Sequence, residues 1–418
     1  MLPWLLRSIA PIVASNRLSP LALGGIVLAT MLSACGGGGS DGSVPVTGAP
    51  VLSGSGDAAP TVFLLGKKLF NDPSLSSSGK LACASCHAAS EGHASPFSTP
   101  VAMGGLGLDK PGTRLAPTLR YLRYNSAFHF DEEGTPVGGF DWDGRAKTFA
   151  AQAERPLLSD NEMGNDSHAD VVAKLRRSPY ADDFKKVFGS DVYADAELTF
   201  ERLAFALQSY QLDNPDFAPF TSKFDYVTAG KAAFTPEEQR GLAWFNRVDK
   251  GNCAACHTSS KPANAPGALF TDFTFDNLGV PRNLEIAGNR DPAYFDFGLC
   301  GPNRTDLKDK RDLCGAFKVP TLRNVALRKR FFHNGSFDSL EQVVRFYVQR
   351  DTNPELWYPV DATGNVDKFN DLPPSLRGNV NTTEVPYDRK RGEAPRLNAS
   401  EIQDLVAFLR TLNDGWQP

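Results

Sequence analysis

Two short segments of this chain carry two cysteines and a histidine at the same spacing: CASCH (Cys83, Cys86, His87) and CAACH (Cys253, Cys256, His257). Thiols at this spacing can form two thioether bonds to one haem, and the adjacent histidine can then ligate its iron. A redox-active dithiol would explain neither the histidines nor the repetition. A zinc site is disfavoured because both clusters have the identical five-residue form. The two segments therefore predict two covalently attached c-type haems.

Cys300 and Cys314 are two of the three cysteines outside these segments, and neither has an adjacent histidine. They flank a polar loop. In an oxidising compartment two such cysteines usually pair. We therefore predict a structural disulfide between them, with two free thiols as the alternative.

Cys35 ends an apolar run near the amino terminus, behind Arg7 and Arg17. The run is short for a membrane span, and its last residues, LSAC, resemble a bacterial lipobox, in which the cysteine is acylated. We expect residues 1–35 to be a lipoprotein-type signal peptide and residues 36–59 to be a flexible Gly/Ser/Pro tether. An uncleaved anchor and an ordinary secretory signal are the alternatives. The glycine after Cys35 favours, by resemblance to such lipoproteins, a lipid anchor in the outer membrane on the periplasmic side.

Helical spacing dominates the rest of the chain, and strand-like alternation is scarce. One capping box, from Thr235 to Glu238, opens the segment before the second motif, and another opens the last helix at Asn398. We therefore predict an all-α fold of two tandem cytochrome c-like domains, residues 60–228 and 229–418, each enclosing one haem. The net charge of −4 gives no reason to expect nucleic acid as a partner.

Several long stretches, in order along the chain, resemble the bacterial di-haem cytochrome c peroxidase superfamily, which includes MauG. They are LGKKLFNDPSLSSSGKLACASCH, FDWDGRAKTFAAQAERPLLSDNEMG, FTDFTFDNLGVPRN and FKVPTLRNVALRKRFFHNGSFDSLEQVVRFY. The resemblance extends from about residue 62 to residue 412. It implies that the N-terminal haem binds hydrogen peroxide and that the C-terminal haem relays electrons.

The same resemblance assigns roles near the N-terminal haem. The catalytic glutamate of the family falls on Glu162, where a carboxylate can take a proton from peroxide and return it to the leaving oxygen. The alternative is a helix-capping or surface acid. Trp142 matches the tryptophan that lies between the two haems and can carry a hole between them; the alternative is a core aromatic residue.

Two other family positions are altered in this sequence. The histidine that blocks the N-terminal iron in many members is replaced by Met103, either a weak thioether ligand or a loop residue beside an open iron. The family's calcium site has Leu115 in place of its asparagine, and its carbonyl donors fall on Arg328 and Arg330. Leucine offers no side-chain oxygen and two cations repel a divalent ion, so we regard calcium as doubtful.

The second haem has no methionine from its own domain, because none of the four methionines follows Met163. The family's ligand lies fourteen residues after the histidine of the F-H-x-G motif, which places it at Tyr347 when that histidine is His333. MauG has a ligating tyrosine at the matching place. Tyr347 shares one helical face with Leu340, Val343 and Val344. We therefore expect Tyr347 to ligate the second haem; the alternatives are His333 and a core tyrosine beside a five-coordinate haem.

These residues favour a di-haem peroxidase that reduces hydrogen peroxide with electrons from a small protein, a cytochrome c or a cupredoxin. The first alternative is a MauG-like oxidase that modifies tryptophan or tyrosine of a partner protein through a bis-high-valent state of the two haems. The second is a di-haem electron carrier without catalysis.

Arg323, in the PTLRN segment, is expected to neutralise a haem propionate.

Overall fold

The computed structural model describes residues 61–418, so the predicted signal peptide, Cys35 and the tether lie outside the described residues. Ten α-helices occur in the described part: α1 (Val62–Phe70), α2 (Cys83–Cys86), α3 (Phe149–Leu158), α4 (His168–Leu175), α5 (Ala181–Phe188), α6 (Ala196–Asp213), α7 (Lys223–Thr228), α8 (Pro236–Asn246), α9 (Leu340–Gln349) and α10 (Ala399–Arg410). None of these helices is long and apolar enough to cross a membrane.

Sheet structure in residues 61–418 is limited to three antiparallel pairs of two-residue strands. These are β1 (Met103–Gly104) with β2 (Lys110–Pro111), β3 (His129–Phe130) with β4 (Pro136–Val137), and β5 (Phe275–Asp276) with β6 (Phe317–Lys318). Long loops connect the helices and carry most of the residues singled out by the sequence. The regular secondary structure of the described residues is therefore mainly helical, with little sheet.

Both predicted capping boxes are confirmed. Thr235 accepts from the backbone of Glu238, and the Glu238 side chain accepts from the backbone of Thr235 at the start of α8. Asn398 and Glu401 make the same reciprocal pair at the start of α10. These bonds satisfy N–H groups that the first helical turn leaves without partners, which fixes where each helix begins.

A glycine lets the helix before each C-x-x-C-H motif contact another helix closely. A Cβ atom on Gly66 of α1 would lie 1.9 Å from the carbonyl oxygen of Ala206 in α6. A Cβ atom on Gly241 of α8 would lie 2.0 Å from the carbonyl oxygen of Asp404 in α10. Because no side chain fits at either crossing, these glycines fix the position of the helices that lead into the two motifs.

The apolar core consists of two large clusters and several smaller ones. One large cluster contains buried residues between Leu65 and Phe217, and the other contains buried residues between Phe224 and Leu412. A smaller cluster joins Tyr121 to residues 265–273, so the two stretches of chain share apolar contacts.

Arg323 is fully buried and does not line the cavity described below. Its guanidinium donates to both carboxylate oxygens of Asp225, at 2.7 and 2.8 Å, and to the carbonyl oxygen of Ala268. The guanidinium also lies over the rings of Tyr121 and Phe220. This arginine therefore stabilises the core, and its neutralisation of a propionate stays a prediction.

Arg323→Met is expected to lower the free energy of unfolding by about 3–5 kcal/mol, because it leaves the Asp225 carboxylate partly buried without its cation. Urea denaturation followed by circular dichroism measures the change. Arg247→Met is the matched control, since Arg247 and its partner Asp249 are both about half exposed and this pair should be removable without measurable effect. Equal stability of the two variants would contradict this assignment.

Candidate functional site

The second C-x-x-C-H motif opens onto a mostly apolar cavity. Cys253 and Cys256 lie at a 3₁₀ turn shortly after α8, and the His257 amide donates to the Cys253 carbonyl oxygen at 2.8 Å. The cavity is lined by all three motif residues and by residues from α9, α10 and several loops. A cavity of this kind beside two thiols and a histidine fits a covalently attached, largely apolar macrocycle.

Both motif histidines are oriented by a backbone carbonyl group. His257 Nδ1 lies 3.0 Å from the Phe270 oxygen, and His87 Nδ1 lies 3.3 Å from the His93 oxygen. When Nδ1 donates its proton there, Nε2 keeps a lone pair for a metal ion. Desolvation lowers the pKa of both imidazoles to about 4, which favours this neutral form. The two histidines therefore fit the role of axial haem ligands.

The four motif cysteines are not paired with one another. Burial raises the pKa of Cys86 to about 11 and that of Cys253 to about 12. The thiols are therefore protonated at neutral pH when no group is bound to them.

Cys300 and Cys314 form a disulfide, with their Cα atoms 5.0 Å apart. Both residues are buried. The Leu299 amide next to the bridge donates to the carbonyl oxygen of Ala316 at 3.0 Å. The bridge therefore closes the polar loop that precedes β6.

Tyr347 lies on the face of α9 that lines the cavity. Leu340, Val343 and Val344 line the same cavity, so the predicted shared face is confirmed. Burial raises the pKa of Tyr347 far above its usual value, and the nearby Cys253 thiol adds to this effect. The structure therefore brings Tyr347 and the second motif together.

Tyr387 is a second tyrosine at this cavity that the sequence analysis missed. Its ring centroid is 5.9 Å from that of Tyr347, with a tilt of 32° between the rings. Tyr387 is buried, and burial raises its pKa well above the ordinary value. It lies in a loop, where no helical periodicity marks it. The cavity thus offers two phenol groups near the second motif.

His333 also lines the cavity, but its ring has other contacts. It stacks on Phe317 with ring centroids 3.5 Å apart, and its Nε2 lies 3.7 Å from an Asp371 oxygen. The His333 carbonyl oxygen accepts from the Leu115 amide at 2.7 Å. These contacts hold His333 within the polar wall of the cavity.

Trp142 lies at the same cavity and is held by several hydrogen bonds. Its indole Nε1 donates to the Leu115 carbonyl oxygen at 2.7 Å, and its own carbonyl oxygen accepts from the Lys318 amide at 2.8 Å. The next residue, Asp143, accepts from Arg114 at 2.7 Å. Consecutive residues 114 and 115 therefore hold consecutive residues 143 and 142, which fixes the orientation of the indole.

Buried charges surround this tryptophan. Arg114 donates to both oxygens of Asp296, at 2.6 and 2.7 Å, and Asp143 also pairs with Arg145 at 2.7 Å. The two arginines hold the pKa of Asp143 below its usual range, against the effect of burial. Sequence reasoning missed this network because its members come from separate loops without a shared motif.

Glu162 follows α3 and lies near the first motif. Its charge contributes to the raised pKa of Cys86, where burial is the largest cause. The side chain is solvent-accessible, yet enough protein surrounds the carboxyl group for desolvation to raise its pKa, an effect that Arg155 opposes. The structure therefore brings the predicted acid and the first motif together.

Met103 lies in β1, with 46% of its surface exposed. The following residues contact the Glu162 turn, because the Gly105 amide donates to the Glu162 carbonyl oxygen at 2.8 Å. A Cβ atom on Gly104 would lie 2.5 Å from that same oxygen. Met103 thus belongs to a hairpin packed on the Glu162 turn, and its ligation of iron stays a prediction.

Three positions of the family's calcium site line the cavity of the second motif: Leu115, Arg328 and Arg330. Both backbone groups of Leu115 already have partners, its carbonyl oxygen with Trp142 and its amide with His333. The side chains of Arg328 and Arg330 bring cations to the same region. The doubt about calcium stays a prediction.

Two C-x-x-C-H motifs, each with a histidine whose Nδ1 faces a backbone carbonyl oxygen, define a protein suited to hold two c-type haems. A family model described as di-haem cytochrome c peroxidase matches residues 60–233. The chain is 34% identical over 364 residues to the methylamine utilization protein MauG of Paracoccus denitrificans, covering 84% of this chain and 88% of that protein. The chain belongs to the di-haem cytochrome c peroxidase and MauG superfamily.

Two further relatives show the range of the superfamily. The cytochrome c551 peroxidase of Nitrosomonas europaea is 30% identical over 338 residues, covering 78% of this chain and 86% of that protein. The crystal structure of the diheme peroxidase BthA from Burkholderia thailandensis is 40% identical, with a TM-score of 0.78, and covers 85% of this chain and 86% of that chain. Family membership implies two haem c groups and an oxidoreductase.

Proposed function

We propose that the chain is a di-haem c-type peroxidase with two tandem cytochrome c-like domains, residues 60–228 and 229–418, each enclosing one haem. Hydrogen peroxide is reduced at the haem of the first motif, and electrons arrive through the haem of the second. The position of Glu162 near the first motif carries this proposal. Relatives named as cytochrome c peroxidases support it.

Glu162 moves the protons of the reaction. Its carboxylate takes a proton from the bound oxygen of hydrogen peroxide and returns it to the departing oxygen, which leaves as water. With two electrons and two protons from outside, one peroxide gives two waters. The haem iron at the first motif supplies the binding position and the electrons. A small cytochrome c or cupredoxin is the proposed donor, and Trp142, held in a fixed orientation, lies on the route between the sites.

A MauG-like oxidase that modifies tryptophan or tyrosine of a partner protein is the second candidate. The position of Tyr347 at the cavity of the second motif favours it. A phenolate ligand stabilises oxidised iron more than a thioether does, which suits storage of oxidising equivalents. The relatives named as MauG proteins support this candidate.

The proposed location is the periplasmic side of the outer membrane, through a lipid on Cys35. The support is the LSAC sequence, and a disulfide between Cys300 and Cys314 suits an oxidising compartment. Labelling with a radioactive fatty acid tests the anchor; a Cys35→Ser variant should lose the label.

One equivalent of hydrogen peroxide, mixed with the fully ferric protein in a stopped-flow spectrometer, is expected to change the Soret band within seconds. Reduced cytochrome c should then be oxidised at two molecules per peroxide if the protein is a peroxidase. A long-lived oxidised state that ignores cytochrome c would favour the MauG-like oxidase.

Two other outcomes would contradict parts of the proposal. No reaction until one haem is reduced would mean reductive activation, and the assignments of Met103 and Tyr347 would be withdrawn. No reaction in either the ferric or the half-reduced protein would leave only the electron carrier.

A further inference from the structure

Arg328 is a partly buried cation without a carboxylate partner. It follows a short 3₁₀ turn, Val325–Leu327, and its side chain lines the cavity of the second motif. Its Nε atom is buried without a hydrogen-bond partner, and one Nη makes only a long contact, 3.4 Å, to the Thr321 carbonyl oxygen. An Nε–H group in this state has lost water without gaining a partner.

The most deeply buried arginines in residues 61–418 differ from Arg328 in their hydrogen-bond partners. Five have side chains less than a tenth exposed, and every one pairs with a carboxylate: Arg114, Arg282, Arg304, Arg323 and Arg350. The fold therefore neutralises this type of side chain wherever it is deeply buried. Arg328 has a buried Nε atom but no carboxylate partner, and this points to an anion that the polypeptide does not supply.

The other cations at the cavity already have partners. Arg330 donates to both carboxylate oxygens of Glu285, at 3.0 and 3.1 Å, and to the Ser98 carbonyl oxygen. Lys318 donates to the Gly139 carbonyl oxygen. Of the two arginines that line this cavity, Arg328 is therefore the one without a carboxylate partner.

We propose that Arg328 binds a propionate carboxylate of the haem attached at Cys253 and Cys256, and that its charge raises the reduction potential of that haem. This inference rests on the proposed haem attachment. A planar guanidinium matches the two oxygens of a carboxylate, and the pair is strengthened when water is excluded. The fixed positive charge close to the macrocycle favours the reduced iron, which carries one positive charge fewer.

Arg328→Gln tests the inference in the haem-loaded protein. Haem content per chain is measured first by the pyridine haemochrome assay, and both midpoint potentials are then measured by spectroelectrochemistry. We expect two haems per chain. One midpoint potential should shift in the negative direction by at least about 59 mV, which for one electron corresponds to a tenfold change in the oxidation equilibrium. The other potential should stay unchanged.

Lys329→Gln is the matched control, because Lys329 is adjacent, about half exposed and contacts Glu91. Lys329→Gln also removes one positive charge, but from the exposed surface, and it should leave both midpoint potentials unchanged. Arg328→Lys keeps the charge but loses the planar fork, so a smaller negative shift is expected. If Arg328→Gln fails to fold, the midpoint potentials of Arg328→Lys test the inference instead.

Wild-type potentials in both Arg328 variants would overturn the inference while leaving the haem assignment intact. Fewer than two haems in the wild-type protein would instead refute the proposed haem attachment. The two failures are therefore distinguished by the first measurement.

Discussion

Glu162→Gln is expected to slow the reaction of the ferric protein with hydrogen peroxide by about 10²–10⁴-fold, the usual contribution of a general acid–base group. The amide keeps the shape of the side chain but cannot accept the peroxide proton. Stopped-flow absorbance in the Soret region measures the rate. Both resting haem spectra should be unchanged, since Glu162 is not expected to ligate iron.

Asp160→Asn is the control for this variant. Asp160 is two residues away, its side chain is 86% exposed, and it pairs with Lys110 on the surface. Its replacement changes the charge of the same turn without touching the proposed proton acceptor. Equal rates in the Glu162 and Asp160 variants would remove Glu162 from the mechanism.

The pH dependence gives a second readout on the same residue. Desolvation raises the pKa of Glu162, and only the ionised carboxylate can accept a proton. The wild-type rate should therefore fall as pH falls through this raised pKa, starting above the ordinary glutamate value of about 4.3. Glu162→Gln should abolish this acid limb.

Tyr347→Met is expected to give the second haem a spectrum of the His–Met type and a more positive reduction potential. Axial ligands set haem potentials over a span of about 0.8 V, and a neutral thioether stabilises ferric iron less than a phenolate does. Resonance Raman and spectroelectrochemistry measure the two changes. The oxidised state formed by peroxide should also decay faster.

Tyr387→Phe is the control that the structure makes necessary. Tyr387 lies at the same cavity, with its ring 5.9 Å from that of Tyr347. Loss of the phenolate spectrum in Tyr347→Phe but not in Tyr387→Phe would assign the ligand to α9. The reverse result would assign it to the loop that carries Tyr387, and no change in either would leave the haem five-coordinate or ligated by another group.

Local sequence predicted the features that depend on neighbouring residues. The capping boxes at Thr235 and Asn398 and the inward face of α9 follow from spacings of three and four residues, and the structure has them. The C-x-x-C-H motifs are equally local. Features built from distant loops could not be predicted, such as the Arg114 ion pairs and the position of Tyr387. The ion pair of Arg323 could not be predicted for the same reason, because its partner Asp225 lies 98 residues away.

Leu115 connects Trp142 and His333 through its peptide groups alone, by accepting from the indole and donating to the His333 carbonyl oxygen. An alanine scan would report only the loss of the buried leucine side chain, since Leu115→Ala keeps both bonds. Replacing the amide with an ester, or the residue with proline, would remove the donor to His333 while the indole acceptor remains. The alignment of the tryptophan with the second site is thus a main-chain property, which residue identity does not record.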